Sequence, residues 1–191
     1  GEKSAGAQAD AFAVTAYEIS GNTVLGEGDV EEAVKAFVGE GKSAADVEAA
    51  RDALEKRYHE RGYPTVLVNI PEQSVQEGRV RLEVIESRIG EVRVNGNRHF
   101  SNGQILEALP SLAEGQVVYL PAVRTEIGRV NLDPDLKVTP GLTPSQTIGF
   151  VDVDLKVEDR IPLHGSLELN NRASPDTTAL RLNAAIRYAN L

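Results

Sequence analysis

The sequence contains no cysteine, no methionine and no tryptophan, and only four phenylalanines and five tyrosines among its 191 residues. Without thiols it has no thiolate catalysis, no disulfide and no cysteine-bound metal, although a cysteine-free chain is at home in any redox compartment. Without methionine, Gly1 is not an initiator residue, so the chain is expected to be a processed product or a fragment. Aromatics make up 5% against 41% hydrophobic residues, which calls for an aliphatic core of Val, Leu, Ile and Ala. Basic residues are outnumbered too: 20 Lys and Arg stand against 29 Asp and Glu, a net charge of -9. That field repels phosphate backbones and argues against nucleic-acid binding. No apolar run approaches the roughly 18 residues of a transmembrane helix, and the first residues carry no signal-peptide pattern.

What the sequence does contain is a tandem repeat. Ile19-Ser20-Gly21-Asn22-Thr23 returns as Val94-Asn95-Gly96-Asn97-Arg98, with the second Gly 75 residues after the first. Gly and Asn are the residues that most readily adopt positive φ, so each pair marks a turn after a strand. A repeat of this length predicts two small domains in series.

Residues 1–11 are small and polar and read as a linker. In residues 12–20 the apolar phase shifts between Phe12/Val14 and Tyr17/Ile19, which predicts a bulge or a late strand start. Asp29 with Glu32 reads as a capping pair for a first helix carrying Val30, Ala33, Val34, Phe37 and Val38, stopped by Gly39. Ser43 and Asp46 open a second helix with Val47, Ala50, Leu54 and Tyr58 on one stripe, and Asp52 with Lys56 as an i,i+4 pair. Pro64 and Pro71 bracket a strand at residues 65–70, which the flanking prolines mark as an edge. Residues 79–86 alternate Val80, Leu82 and Val84 against charged residues.

The second copy follows the same grammar. Val92 and Val94 lie in its first strand, and Ser101 with Gln104 caps a short helix interrupted by Pro110. A further helix starts at Pro121 with Val123, Ile127 and Val130 inward. Residues 137–142 are a weak strand and residues 148–157 a strong one. Each copy thus reads β-α-α-β-β. The fold class is α+β: residues 12–87 and 88–160 each form a three-stranded mixed sheet with two helices on one face.

Residues 161–191 differ in kind. Two strictly alternating runs, joined by a turn at Ser174-Pro175-Asp176, place Leu167, Leu169, Leu180, Leu182 and Ile186 on one apolar face. Paired strands of about ten residues with one apolar face match the hairpin unit of a transmembrane β-barrel. Without a barrel around them, they are expected to lie against the second domain or to pair with another copy.

Catalytic chemistry finds no support. His59, His99 and His164 are far apart, and there is no paired-histidine zinc motif, nucleophile elbow or phosphate loop, the Gly141–Gly149 segment included. Asp152 and Asp154 share a strand face and offer the one candidate for a divalent ion, yet two carboxylates are too few oxygens for a site. Outward-facing acids are the commoner explanation. No catalytic residue, metal or cofactor is assigned.

In combination, Gly21-Asn22-Thr23, Arg61-Gly62-Tyr63, residues 70–85 with Gln73 and Gly78, Gly96-Asn97, Asn131 with Pro134, Pro140-Gly141 and Glu168-Leu169-Asn170-Asn171 resemble a bacterial two-partner secretion transporter of the haemolysin and filamentous-haemagglutinin secretion type. The resemblance makes the two repeats POTRA domains and the tail the first hairpin of an outer-membrane barrel. The family's N-terminal plug helix and remaining barrel strands have no counterpart in this stretch, so it is expected to be the front portion of a longer protein. The resemblance implies a location at the outer membrane with this region in the periplasm. It also implies a partner, the secretion domain of an exported adhesin or cytolysin, delivered to the barrel pore.

A strand edge with free N–H and C=O groups accepts an extended peptide, which nominates Thr65, Val66, Leu67, Val68, Asn69 and Ile70. A groove beside this strand, with Arg57 and Tyr58 on its rim, is the adjoining candidate, although Tyr58 also fits the core stripe. The alternatives are a barrel-assembly chaperone with many clients, a structural periplasmic scaffold, and a metal-dependent hydrolase at Asp152 and Asp154.

Overall fold

A computed structural model describes residues 11–170 and 181–188, with side chains for 11–168 and 184–188. The linker residues 1–10, the turn at Ser174-Pro175-Asp176, and Leu180 lie outside the described residues.

Two sheets with the same topology follow one another. In the first unit β1 (Phe12–Val14), β2 (Ala16–Ser20), α1 (Glu27–Val34), β3 (Gly39–Lys42), α2 (Ala44–Glu60), β4 (Val66–Asn69) and β5 (Arg79–Glu86) follow in order. The sheet order is β2-β5-β4, with β2 parallel and β4 antiparallel to the central β5. The second unit comprises β6 (Arg88–Asn95), α3 (Asn102–Glu107), α4 (Leu120–Val130), β7 (Leu136–Pro144) and β8 (Phe150–Asp159). Its sheet runs β6-β8-β7, again with β6 parallel and β7 antiparallel to the centre. This is the expected mixed three-stranded α+β unit, made twice.

The phase shift near residue 15 is real: β1 leaves the main sheet at Thr15 and pairs with β3, a strand the apolar pattern did not reveal because Gly39-Glu40-Gly41-Lys42 has no apolar residue. Ser43 and Asp46 form a capping box on α2, and Val47, Ala50, Leu54 and Tyr58 are all buried. Ser101 and Gln104 do the same for α3. Two local expectations fail. Asp29 does not cap α1, which starts three residues earlier behind Gly26; its carboxylate instead receives Arg61 Nη2 at 2.5 Å. Asp52 pairs with its neighbour Arg51 at 2.6 Å, and Lys56 with Glu60 at 3.7 Å. On an exposed helix face several such pairings are close in energy.

The Gly-Asn turns explain why the units look alike. Gly21 has φ +82° and Gly96 φ +98°, and a Cβ on either would lie 2.1 Å from Val84 O or 2.3 Å from Val157 O. Each turn therefore rests directly on the backbone of the central strand. Two residues further along that strand a carboxylate closes the turn. Glu86 accepts from the amides of Thr23 (2.7 Å) and Val24 (3.1 Å); Asp159 accepts from Arg98 (2.8 Å), His99 (2.6 Å) and Phe100 (3.0 Å). Asn22 then bonds Leu25 through both its amide groups, and Asn97 donates to Phe100 O. The strand-to-helix connection is fixed without a hydrophobic contact of its own.

The units meet through few residues. Tyr63 and Tyr119 stack with ring centroids 5.1 Å apart, Leu120 N donates to Gly62 O at 2.8 Å, and Val117 packs on the first core.

Two predictions follow from these turns. Gly96→Ala should destabilise by more than about 3 kcal/mol in urea unfolding, since it adds a backbone clash to a left-handed conformation. Gly128→Ala, in the exposed interior of α4 where an added Cβ meets nothing within 4 Å, should stabilise by about 0.5–1 kcal/mol. For Asp159, partial burial raises the carboxyl pKa, but the three amide donors together hold it below its ordinary 3.8. Its stabilisation is therefore complete above the unfolded-state value and lost as pH falls through the lower folded-state value. Asp159→Asn should cost about 2 kcal/mol at neutral pH, with the gap to wild type narrowing below about pH 4 in thermal melts.

Candidate partner-binding edge

The strand at residues 65–70 forms as β4 (Val66–Asn69) and lies at the edge of the first sheet. Side chains alternate: Val66 and Val68 are buried against Leu54 and Tyr58 of α2, while Leu67, 51% exposed, and Asn69 point to the opposite face of the sheet. Thr65 and Ile70 flank the strand and are half-buried. The Thr65 hydroxyl is buried without a hydrogen-bond partner.

This geometry corrects the groove. No open channel lies between β4 and α2 for a ligand to enter beside Tyr58, because Tyr58 fills that space. Its ring is fully buried and its hydroxyl donates to Asn22 Oδ1 at 2.6 Å. Burial, helped by the Glu86 carboxylate, pushes the phenol well above its ordinary value, so it remains a donor. Arg57 is half-buried, with Nε 4.0 Å from Asp29. Leu67 belongs to the far face and does not line a groove with α2.

The backbone of the edge has its own arrangement. In an antiparallel pair, alternate residues turn both N–H and C=O away from the partner strand. Val66 and Val68 are those residues: Val68 N donates to Glu55 Oε2 at 3.0 Å, and His59 Nε2 donates to Val66 O at 3.0 Å. Two side chains of α2 thus cover the outward groups of β4. Sequence reasoning did not single out Glu55. The usable signal was its spacing from His59, one helical turn apart on the flank next to the buried stripe.

The other candidates resolve differently. Arg93 bridges the two carboxylates once considered for a metal, at 3.1 Å from Asp152 and 3.2 Å from Asp154, and Glu91 N donates to Asp152 at 3.1 Å. Among the described residues no cluster of metal-ligating side chains is found. The hairpin forms as β9 (Leu163–Asn170) and β10 (Arg181–Tyr188), antiparallel, in the register Leu163↔Tyr188, Gly165↔Ile186, Leu167↔Ala184 and Leu169↔Leu182. That register puts Leu167, Leu169, Leu182 and Ile186 on one face, and Leu167 and Ile186 are 69% and 81% exposed. His164, on the opposite alternation, reaches the buried Asp135 at 2.5 Å and ties the hairpin to the second unit. No helix among the described residues is long and apolar enough to cross a membrane, which says nothing of strands.

Two mixed three-stranded units in tandem, each with a helix pair over the sheet and joined directly to an apolar-faced hairpin, define a POTRA-bearing protein of the outer-membrane barrel class. Residues 12–87 match the POTRA domain of ShlB type. Over 189 residues the chain is 25% identical to the outer membrane transporter CdiB of Escherichia coli O6:K15:H31 (strain 536 / UPEC), covering 99% of this chain and 32% of that protein. A solved structure of CdiB from Escherichia coli superposes with a TM-score of 0.74 at 25% identity, over 97% of this chain and 34% of the other. POTRA domains 1–3 of the periplasmic domain of Omp85 from Anabaena share the fold, with a TM-score of 0.68 at 22% identity over 78% of this chain and 66% of theirs. The first unit is a POTRA domain of the ShlB type, and the chain is homologous to CdiB outer-membrane transporters of two-partner secretion. It spans about a third of the length of the curated relatives it matches.

Because Tyr58 is an interior group, Tyr58→Phe should lower stability by about 1 kcal/mol in urea unfolding. Its affinity for any partner docking on β4 should stay at the wild-type value, which titration calorimetry can check.

Proposed function

We propose that this chain is the periplasmic part of an outer-membrane two-partner secretion transporter. It binds the secretion domain of an exported partner protein non-covalently and passes it to the barrel pore. The observation that carries this reading is the similarity to CdiB across both units and the hairpin together. The edge strand β4 supports it at the level of mechanism, since its outward groups are held by side chains and not by another strand. An arriving extended segment gains main-chain hydrogen bonds there, and alternate side chains supply selectivity. The exposed apolar face of β9 and β10 supports anchorage to a barrel in the outer membrane. No chemical step is required, so the region acts as a binding module and not as an enzyme.

The test is direct binding of the chain to the secretion domain of the large exported protein encoded beside it, with unrelated unfolded outer-membrane proteins as competitors. Selective binding supports a dedicated client. Equal binding of all clients would instead favour a barrel-assembly chaperone, whose POTRA units share this fold. Val68→Pro sharpens the site: Val68 N faces outward, so the substitution removes an edge donor and leaves the β4–β5 ladder intact. It should cost about 1–2 kcal/mol of stability through the lost Glu55 bond and weaken client binding about tenfold. Unchanged affinity in a folded Val68→Pro variant would rule out strand addition at β4.

A further inference from the structure

We propose that Glu55 and His59 form a releasable latch on the edge of β4, while the corresponding edge of the second unit is permanently closed. An incoming strand is then admitted at the first unit only. This rests on the reading above, that an extended segment of a partner docks on a POTRA sheet edge.

The two edges are equivalent by position: Val66 and Val68 follow Pro64 as Leu136 and Val138 follow Pro134. They are protected by different chemistry. In the second unit one side chain covers both outward groups of Val138. Asn131 Oδ1 accepts from its amide at 2.7 Å, and Asn131 Nδ2 donates to its carbonyl at 3.1 Å. Asn131 caps the C-terminus of α4, so the amide plane is set by the end of the helix. Continuing along β7, the residues that share the outward alternation of Val138 are Pro140, Leu142 and Pro144, in an unbroken register with β8. Two of these three have no N–H to give, and their rings stand where an added strand would approach. A neighbouring strand has almost no donors to pair with along β7.

In the first unit the protection is divided between two side chains, each making a single bond. Glu55 is half-buried and His59 exposed, and each reaches water by a change of rotamer. No proline occurs within β4. Release of both exposes the Val68 amide and the Val66 carbonyl together, the pair that an incoming strand needs. The freed Glu55 carboxylate then faces that strand in a chain of net charge -9. The fitting occupant is an extended segment with a donor side chain, Ser, Thr, Asn or Lys, opposite Glu55.

The experiment compares Glu55→Ala and Glu55→Gln with wild type, reading hydrogen exchange at the Val68 and Val138 amides and affinity for the same secretion domain. Glu55→Ala should speed exchange at Val68 and leave Val138 unchanged. It should also tighten binding about fivefold, because the competent open edge is more populated. Glu55→Gln retains an acceptor oxygen and should stay near wild type in both, which separates loss of the latch from loss of charge. Unchanged Val68 exchange in Glu55→Ala overturns the latch. Faster exchange with unaltered or weaker binding overturns its gating role while leaving partner capture intact. Binding by neither wild type nor Glu55→Ala overturns partner capture and the latch together.

Discussion

The rest of the structure depends on a carboxylate at the end of each central strand. Glu86 and Asp159 hold the amides that follow the Gly-Asn turns, and those amides would otherwise be orphaned beside the sheet. Because the carboxylate sits on the strand and the amides lead into the helix, the bond couples the two layers at their junction. A short β-to-α connection in a small unit has little apolar area with which to fix its own path. Charge-assisted bonds, roughly twice as strong as neutral ones, do it instead. Placement of α1 over the sheet in turn leaves Asn22 facing Tyr58, and that bond seats α2 alongside β4. The edge arrangement is downstream of the clasp.

How much of this was legible in the sequence differs by layer. The strands and helices followed from alternation and capping, because Val80, Leu82, Val84 and the stripe Val47, Ala50, Leu54, Tyr58 leave little choice of face. The short β3 was not legible, since a strand of Gly, Glu, Gly and Lys is defined only by its partner β1. Glu86 and Asp159 were hidden for a related reason. Each acts on residues about 60 positions earlier, and an acid at the end of a strand carries no local signal of that role. The repeat was the one route to them, because both stand the same two residues beyond the valine whose carbonyl supports the turn.

For the candidate site the lesson is narrower. Flanking prolines correctly marked residues 65–70 as an edge, since a proline is tolerated only where no ladder donor is needed. They did not tell how the edge is protected. That depends on which alternate residues face outward, and a parity of one residue decides it. Tyr58 was assigned both to the core stripe and to the rim of a groove. A large ring on the buried stripe, with a hydroxyl that finds Asn22, belongs to the first alone.

The contrast between the two units suggests a division of labour with a physical basis. The second unit has its edge closed by Asn131 and by two prolines, and it holds the hairpin through His164 and the buried Asp135, whose carbonyl also accepts from Arg160 N at 2.8 Å. Those contacts fix the strand direction at the exit toward β9. A unit that must transmit position to a barrel gains nothing from an edge that opens, since each added strand would twist its sheet and shift the exit. The first unit carries no such connection and meets the second through the Tyr63–Tyr119 contact and one backbone bond. It is the place where a strand is added at least mechanical cost to the membrane end.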